Sequence, residues 1–417
     1  MSDRRVPRWS EVAPLLRPRP FDTDRTAARL NRAATVGDLR ELARRRTPRA
    51  VFDYVDGAAV DELSLRRSRA AFTRVEFAPR VLRDVSKVDT STMLLGKKSA
   101  LPLVFAPTGF TRMMHHEGEC AVARVAQRAG LPYTLSTMGT TSIEDLAAAA
   151  PSARRWFQLY LWRDRDASRD FVLRAAAAGY DTLMLTVDTP VTGTRLRDVR
   201  NGLTVPPALT LRTLANGAMH PRWWFNLLTT APLEFASLNS VASTVGDFAD
   251  TVFDPALSVA DVGWLREIWP GSLVVKGVLT ATDAHLVVDA GADAVVVSNH
   301  GGRQLDRALT PLEQLPAVVA AVGGRAQVLV DGAVMSGADV VAAVSLGADA
   351  ALIGRAYLYG LMAGGERGVQ RAADILAGEV LRTMQLLGAT SVADLTPDLV
   401  RLRPLGPTSS IARHGRR

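Results

Sequence analysis

Four segments of the sequence share one hydrophobic pattern, in which a stretch typical of a helix ends at a glycine and an apolar run follows. They lie at 129–132, 178–181, 290–293 and 346–349. A glycine just past a helix adopts the left-handed conformation that satisfies the last helical carbonyls, and a continuous apolar run is typical of a strand buried on both faces of a parallel sheet. The pattern therefore predicts repeated helix–strand units and an α/β fold.

Apolar runs also predict where the strands lie. Eight candidates occur, at 101–106, 132–136, 156–160, 182–187, 272–276, 294–298, 327–331 and 350–353. Most intervals between them have room for one helix, as at 280–290, 310–322 and 336–346. Eight strands alternating with helices predict a closed (βα)8 barrel, also called a TIM barrel.

The remaining segments predict how the chain is organised around the barrel. The predicted order is a basic, poorly ordered N-terminus (1–35), a helical extension (36–100), the barrel (101–405) with an insertion (about 195–271), and a C-terminal tail (406–417). The insertion is expected because the interval after strand four is too long for one helix and leaves the end of the strand where barrel active sites lie. Short helices over 36–72 are expected to be capped by Thr35 and Thr47.

Charge and composition change this picture little. Lys and Arg outnumber Asp and Glu by 50 to 42, which gives a formal charge of +8. The basic residues are interspersed with acids and lack aromatic stacking partners, so no nucleic-acid partner is expected. The single cysteine, Cys120, excludes an internal disulfide. The sequence shows neither a secretory signal nor an apolar run of membrane-spanning length, so a cytoplasmic location is expected.

Polar residues follow nearly every predicted strand at its carboxyl end, where core packing does not account for them. They are Pro107-Thr108-Gly109, Ser136, Gln158, Tyr160, Thr186, Asp188, Lys276, Ser298, His300, Arg303, Asp331, Gly354 and Arg355. Strand ends of this kind meet at one rim, and loops after strands seven and eight commonly bind phosphate. A phosphorylated cofactor is therefore predicted, and the lack of a GxGxxG run after a strand disfavours NAD.

The rim motifs resemble one known family. The most specific is Ser298-Asn299-His300-Gly301-Gly302-Arg303-Gln304-Leu305-Asp306, supported in order by 157–160, 185–190, 275–277 and 353–355. These residues resemble the FMN-dependent 2-hydroxy acid oxidases and dehydrogenases over about 36–405. Segments 156–162, 196–202 and 206–211 are most similar to the bacterial L-lactate dehydrogenase branch. The resemblance implies FMN as the cofactor and an L-2-hydroxy acid as the substrate.

The resemblance also implies roles at the substrate. His300 would be the base that removes the hydroxyl proton, and Asp188 would hold the imidazolium that forms. The implied substrate-binding residues are Tyr54, Tyr160, Arg195 and Arg303, and Tyr160 would also be catalytic. A guanidinium suits a carboxylate because its planar fork makes two parallel hydrogen bonds, and a phenol donates a hydrogen bond while its ring excludes water. The alternative for the arginines is a solvated surface position.

A second group would bind FMN. Its members are Pro107, Thr108, Gly109, Ser136, Gln158, Thr186, Lys276, Ser298, Asp331, Gly332, Ala333, Met335, Gly354 and Arg355. Lys276 would also be catalytic, because a cation beside the flavin N1 and O2 edge stabilises the negative charge left by hydride transfer. A lysine at the end of an apolar strand would be costly to bury without an anionic partner.

Three positions depart from the family pattern. Met335 stands where many relatives place an arginine for the phosphate, so phosphate affinity is expected to depend more on Gly354, Arg355 and backbone amides. Met138 stands where glycolate oxidases have tryptophan, which favours lactate over glycolate. Gly109 stands where several oxidases have alanine, and its effect on oxygen access is left open.

The resulting hypothesis is oxidation of L-lactate to pyruvate, with electrons passed to a quinone or another carrier. The alternatives are an oxygen-using lactate oxidase or 2-monooxygenase, a dehydrogenase of a larger 2-hydroxy acid, and a flavin-binding barrel without catalysis.

Two further expectations concern partners and metals. The apolar run at 223–228 in the insertion suggests either a peripheral contact with the inner face of the cell membrane or packing against the barrel. The family resemblance implies a homotetramer. His115-His116-Glu117 lacks HExxH spacing and is expected to open the first barrel helix, so no metal is predicted.

Overall fold

The architecture is a closed barrel of eight parallel strands. The computed structural model describes residues 5–15, 24–202, 220–233 and 253–404. The strands are β1 (Val75–Phe77), β2 (Thr92–Leu94), β3 (Lys97–Ser99), β4 (Leu103–Phe105), β5 (Tyr133–Ser136), β6 (Arg155–Leu159), β7 (Thr182–Thr186), β8 (Ser272–Val278), β9 (Ala294–Val297), β10 (Gln327–Val330), β11 (Ala350–Ile353) and β12 (Val400–Leu402). The barrel runs in order from β4 to β11 and closes where β11 pairs with β4. The predicted (βα)8 barrel is confirmed.

Helices cover the outside of the barrel and form the N-terminal extension. They are α1 (Trp9–Val12), α2 (Arg25–Arg32), α3 (Val36–Arg46), α4 (Arg49–Asp56), α5 (Leu63–Thr73), α6 (Thr111–Met114), α7 (Gly118–Ala129), α8 (Ile143–Ala149), α9 (Arg165–Ala177), α10 (Leu196–Asn201), α11 (Pro221–Leu228), α12 (Val259–Ile268), α13 (Ala281–Asp289), α14 (Pro311–Val322), α15 (Gly337–Ser345) and α16 (Arg355–Leu387). The helices α7, α8, α9 and α12 to α16 each follow one barrel strand.

The barrel is filled by its own side chains. Inward-facing residues from successive strands form a cluster separate from the outer core, and this cluster includes Val104, Trp156, Met184, Val274, Val296, Leu329 and Leu352. The β2–β3 hairpin closes the amino-terminal end, since Leu94 joins the cluster and the amide of Leu95 donates to Gln327 Oε1 at 2.8 Å. With that end closed, the carboxyl ends of the strands are left for a site.

One of the two predicted helix caps is confirmed and the other is wrong. Thr35 caps α3 as predicted, accepting a hydrogen bond from the amide of Asp38 at 3.1 Å. Thr47 does not begin a helix, which corrects the second prediction. It ends α3, where its hydroxyl donates to the carbonyl of Ala43 at 2.9 Å, and Pro48 precedes α4 instead. Proline suits this place because its fixed φ is compatible with the start of a helix and its missing N–H is not needed there.

The helical extension begins earlier than expected. Helix α2 lies within the stretch expected to be poorly ordered, and Asp24 caps it by accepting hydrogen bonds from the amides of Thr26 and Ala27. Leu30 is buried at Gly364 of α16, and Arg367 pairs with Asp24 at 2.6 Å. The extension therefore packs against α16 from about residue 24.

The insertion ends earlier than expected. Helix α12, near the end of the predicted 195–271 segment, is the barrel helix between β7 and β8. It begins at a capping box of Ser258 and Asp261 and buries Val262 and Leu265. The inserted part therefore ends near Ser258. Most of it, 203–219 and 234–252, lies outside the described residues, as do the predicted tail, residues 1–4 and residues 16–23.

Helix α16 bends sharply and folds its two halves against each other. The bend lies at Gly364 and Gly365, which have non-helical backbone angles. Gly360 and Gly368 meet across it so closely that a Cβ on either would overlap the carbonyl of the other. Only glycine permits this approach, because any side chain would have to displace backbone atoms.

Replacing Gly368 by alanine is therefore expected to lower the free energy of unfolding by about 1 to 3 kcal/mol, the usual cost of overpacking. Gly378 on the same helix is the matched control, because a Cβ there meets nothing within 4 Å. The Gly378→Ala variant is expected to gain up to about 1 kcal/mol through helix propensity. Urea denaturation measures the stability of both variants. If the Gly368→Ala and Gly378→Ala variants are equally stable, the close approach of Gly360 and Gly368 is contradicted.

Candidate active site

One large cavity lies at the carboxyl ends of the barrel strands. Its volume is about 1060 Å³, at the upper limit of ligand pockets, which commonly span about 300 to 1,000 Å³. The predicted site residues that line it are Tyr54, Pro107, Thr108, Gly109, Ser136, Tyr160, Arg195, Lys276, His300, Arg303, Asp331, Gly332, Ala333, Met335, Gly354 and Arg355. The structure therefore brings together residues that are up to 300 positions apart in the chain.

Four predicted site residues lie directly behind the cavity wall. Gln158, Thr186 and Ser298 are buried, and each hydrogen-bonds a neighbour in the wall or in the layer behind it. Ser136 Oγ donates to Gln158 Oε1 at 2.9 Å, and Gln158 Nε2 donates to Thr186 Oγ1 at 3.0 Å. The fourth, Asp188, lies behind His300. Direct contact of these four with a ligand stays a prediction.

His300 is held in one orientation by its surroundings. Its ring Nδ1 lies 2.9 Å from Asp188 Oδ1, and its backbone amide donates to Ser298 Oγ at 3.0 Å. The turn that carries it has a left-handed φ of 55° at His300, a conformation that costs energy for a residue other than glycine. Asn299 stabilises the turn by accepting from the amide of Gly302 at 3.1 Å.

Asp188 is ionised in this environment. Burial alone would raise its pKa, but the interactions of Asp188 with His300 and Lys276 outweigh that effect and hold the pKa below its ordinary value. An ionised carboxylate accepts the proton on His300 Nδ1, which leaves Nε2 as the nitrogen free to accept a proton. The pair is therefore arranged as a base with an orienting carboxylate.

Two guanidinium groups lie close to the Tyr54 ring. Arg303 lies 4.8 Å from the ring centroid and Arg195 lies 5.7 Å from it. Arg195 pairs with Asp198 at 2.8 Å, whereas Arg303 has no carboxylate partner among the described residues and donates to the carbonyls of Tyr54 and Gly57.

Burial and the charge of Arg195 lower the pKa of Arg303 to about 10. Its guanidinium is still protonated at neutral pH, but the charged form is destabilised. A bound carboxylate would relieve that destabilisation, which gives this part of the cavity a preference for an anion.

Tyr160 completes this side of the cavity. Burial and the negative charge of Asp188 raise its pKa, so the phenol keeps its proton and can donate a hydrogen bond. Its ring packs edge-on against Phe253, with 5.3 Å between the ring centroids. Phe253 also lines the cavity and was missed from the sequence, because a lone phenylalanine in a long insertion carries no local signal.

Lys276 is a fully buried cation with two anionic neighbours. Its Nζ lies 3.2 Å from Asp331 Oδ2 and donates to Ser298 Oγ at 3.0 Å. Burial alone would lower its pKa, but Asp331 and Asp188 outweigh burial and raise the pKa above its ordinary value. The sequence expectation that a lysine here needs an anionic partner is met by Asp331.

The cavity wall fits FMN in three respects. Asp331 Oδ1 is buried without a hydrogen-bond partner. A hydroxyl of the ribityl chain of FMN could donate the missing hydrogen bond. Gly332 and Ala333 have left-handed φ values of 94° and 68°, a turn of the kind that points amides at a phosphate. Lys276 supplies the cation expected beside a flavin that gains negative charge.

Arg355 is engaged differently from the expectation. Its guanidinium donates to the carbonyls of Val55 at 2.8 Å, Gly57 at 2.7 Å and Gly301 at 3.0 Å. These three bonds join the N-terminal extension to the His300 turn. Contact of its side chain with a phosphate stays a prediction.

His115, His116 and Glu117 form a group whose ligand atoms lie within 4.8 Å of one another. The group precedes α7, as expected. Burial, with the nearby charges of His116 and Arg46, lowers the pKa of His115 to about 3. Positive surroundings of this kind disfavour a bound cation, and the expectation of no metal stays a prediction.

Comparisons with known proteins agree with this geometry. The family of FMN-dependent dehydrogenases matches residues 43–402. A Mycobacterium tuberculosis protein named "Putative L-lactate dehydrogenase" is 57% identical over 406 residues, which cover 97% of this chain and 98% of that protein. The L-lactate dehydrogenase of Caulobacter vibrioides is 44% identical over 88% of this chain and 97% of its own.

Solved structures with the same fold are also similar to this chain. The monotopic membrane protein (S)-mandelate dehydrogenase has a TM-score of 0.86 and 38% identity, covering 89% of this chain and 100% of its own. A mandelate oxidase variant with (S)-mandelic acid has a TM-score of 0.77 and 39% identity, covering 89% of this chain and 99% of its own.

The Lys276–Asp331 pair makes a prediction about stability. Lys276→Met leaves Asp331 buried without its cation, and the flavin-free protein is expected to lose about 3 to 5 kcal/mol of unfolding free energy. Adding Asp331→Asn should recover part of this loss. Lys97→Met is the control, because Lys97 is 61% exposed and Asp181 also pairs with Arg154, so the loss is expected to be less than about 1 kcal/mol. If the stability losses of Lys276→Met and Asp331→Asn simply add in the double variant, as measured by urea denaturation, the two residues are not coupled.

Proposed function

Because the chain belongs to the family of FMN-dependent dehydrogenases, we propose that it oxidises an L-2-hydroxy acid and that its substrate is L-lactate, converted to pyruvate. One observation carries the proposal: a single cavity holds both an oriented base and a carboxylate site. His300 Nδ1 is fixed by Asp188 at 2.9 Å, and Arg195 and Arg303 lie on the same cavity wall. An α-hydroxy acid presents a hydroxyl and a carboxylate on adjacent atoms, which this arrangement matches.

The substrate carboxylate would be held by the two guanidinium groups. Arg303, which lacks a carboxylate partner among the described residues, gains the most from an incoming anion, and Arg195 adds a second cation beside the Tyr54 ring. The phenols of Tyr54 and Tyr160 donate hydrogen bonds to the bound acid. Their rings, with that of Phe253, exclude water from this side of the cavity.

The proton and the hydride leave the substrate in different directions. His300 Nε2 takes the hydroxyl proton, and Asp188 stabilises the imidazolium that results. The Cα hydrogen leaves with both electrons of its bond, so the carbinol carbon becomes the ketone carbon of the product. Bound FMN supplies the acceptor for this hydride. Lys276 places a fixed positive charge in the same wall, which favours the accumulation of negative charge there.

Apolar side chains line the part of the cavity expected to receive the substrate's side group. Met138 and Met114 lie there with Phe253, and Met138 packs tightly on Gly109, where an added Cβ would come within 2.8 Å of the Met138 Cβ. Such a wall fits the methyl group of lactate. Because the similar solved structures are of mandelate enzymes, a larger acid is the second candidate. The ratio of kcat/KM for L-lactate and (S)-mandelate decides between them.

The proposal predicts a spectroscopic change. The purified protein should show the visible bands of oxidised flavin, and anaerobic L-lactate should bleach them. His300→Ala should keep its FMN but bleach at least about 10²- to 10⁴-fold more slowly, because the general base is lost.

His285→Ala is the matched control, since His285 is exposed on α13 and contacts Arg325 outside the cavity. Unchanged bleaching in His300→Ala would exclude His300 as the base. A protein without flavin bands would exclude the cofactor.

We further propose that the electrons pass to a membrane quinone. In α11, Trp223 Nε1 donates to the carbonyl of Met113 at 3.0 Å, whereas Phe225 and Leu228 are 66% and 69% exposed. The helix is therefore anchored to the barrel on one side and apolar on the other. Among the described residues, no helix is long and apolar enough to cross a bilayer. A shallow peripheral contact fits these facts, and Met114, next to the anchoring Met113, lines the cavity.

Replacing Phe225 and Leu228 together by serine should weaken binding to anionic vesicles and slow the reduction of a quinone dissolved in them. Reduction of a soluble dye should not change, because the cavity is untouched. Leu386→Ser is the control, as an equally exposed leucine on α16. Unchanged quinone reduction would exclude the α11 contact. Rapid oxygen consumption with lactate would show that oxygen is the acceptor instead.

The expected homotetramer stays a prediction.

A further inference from the structure

The phosphate end of the cavity lacks a cation from the loop where many relatives have one. Met335 occupies that place in the loop after β10 and lines the cavity with an uncharged side chain. The guanidinium of Arg355 makes three hydrogen bonds to backbone carbonyls, to Val55, Gly57 and Gly301. A phosphate carries between one and two negative charges at neutral pH, so its binding normally requires a cation close by.

Helix α5 of the N-terminal extension brings two arginines to this loop. Arg66 and Arg69 are one turn apart on the helix and both line the cavity, together with the segment from Gly332 to Ser336. Arg69 Nη1 donates to the carbonyl of Ala333 at 2.9 Å, which places its guanidinium directly beside the turn with left-handed φ values. The extension therefore supplies positive charge to a loop that has no cation of its own.

The two arginines differ in how their charge is balanced. Arg69 also donates to Asp339 Oδ2 at 2.6 Å, and that carboxylate caps α15 by accepting from the amides of Met335 and Ser336. The Arg66 side chain makes no hydrogen bond or ion pair with any residue that the structure describes. Arg66 therefore faces the cavity with an uncompensated positive charge, and Arg69 fixes the loop beside it.

One carboxylate lies on the same wall and bears on the electrostatics. Glu379 lines the cavity, and its Oε2 accepts from the amide of Gly337 at 2.7 Å. Burial and the nearby Asp339 raise its pKa. A phosphate bound in this part of the cavity would lie near the Glu379 carboxyl group, so a neighbouring cation such as Arg66 would favour its binding.

We propose that Arg66 and Arg69 of α5 form the cationic half of the FMN phosphate site, in place of the arginine that Met335 replaces. The proposal rests on FMN as the cofactor, but not on lactate as the substrate. Arg66 would pair directly with the phosphate, and Arg69 would hold the Ala333 turn against it. Riboflavin has the same ring and ribityl chain but no phosphate, so its binding affinity would not depend on either residue.

The test compares FMN with riboflavin on the full chain after removal of bound flavin, with quenching of flavin fluorescence as the measure of affinity. Arg66→Ala/Arg69→Ala should bind FMN at least about tenfold more weakly, as expected for lost charge-assisted contacts. Its affinity for riboflavin should change by less than about twofold. Arg67→Ala is the matched control, because Arg67 lies between the two on α5, is exposed and does not line the cavity.

Two further variants separate a phosphate contact from a folding defect. Arg66→Ala alone leaves the Arg69–Asp339 pair intact and should still weaken FMN more than riboflavin. Adding Met335→Arg to the double variant should restore most of the FMN affinity, because it returns a cation to the loop. Equal weakening of both flavins, or unchanged FMN affinity in the double variant, would overturn the proposal. Neither outcome depends on hydroxy acid turnover, so a failure here is distinct from a failure of the proposed reaction.

Discussion

The site depends on a chain of alternating charges that is buried at the barrel rim. Asp331 faces Lys276, the charge of Lys276 reaches Asp188, and Asp188 holds His300. The charges of Asp331, Lys276 and Asp188 would each be too costly to bury alone, and each is tolerated because its neighbour has the opposite sign. The proposed base His300, the carboxylates of Asp188 and Asp331 and the buried Lys276 are therefore one electrostatic unit contributed by four different strand ends.

The second requirement of the site is a wall that the barrel does not provide. Tyr54 comes from the N-terminal extension, and Arg303 and Arg355 both donate to backbone carbonyls of that extension. Helix α5 adds Arg66 and Arg69 to the cavity. The extension is in turn held on α16, whose sharp bend depends on the close contact of Gly360 and Gly368. A glycine pair outside the cavity thus contributes to the shape of the cavity wall.

Sequence reasoning predicted the barrel well because its signals are local. Buried strands, helix caps and closing glycines are short patterns, and all eight barrel strands coincide with predicted apolar runs. The rim residues were predictable because strand ends of a barrel converge. Helix α12 was predicted as part of the insertion, because the long segment before it has no regular pattern that would mark where the helix begins.

The residues that sequence reasoning missed reach the site through the tertiary fold. Arg66 and Arg69 have the spacing of an ordinary solvated helix face, and only the packing of α5 on the loop after β10 brings them to the cavity. Phe253 follows a long segment without a local pattern. Arg355 was expected to face a phosphate from its motif alone, and its bonds to Val55 and Gly57 arise from a contact between distant parts of the chain.

The inserted segment touches the cavity near one end and exposes apolar side chains in its middle. Phe253 packs on Tyr160 inside the cavity, while Phe225 and Leu228 face outward from α11. The proposed determinants of substrate and of electron acceptor therefore lie on one continuous stretch of sequence. Exchange of that stretch between relatives would alter both properties in a single event while leaving the rim chemistry intact, which is a direct route for a conserved scaffold to diversify in metabolic role.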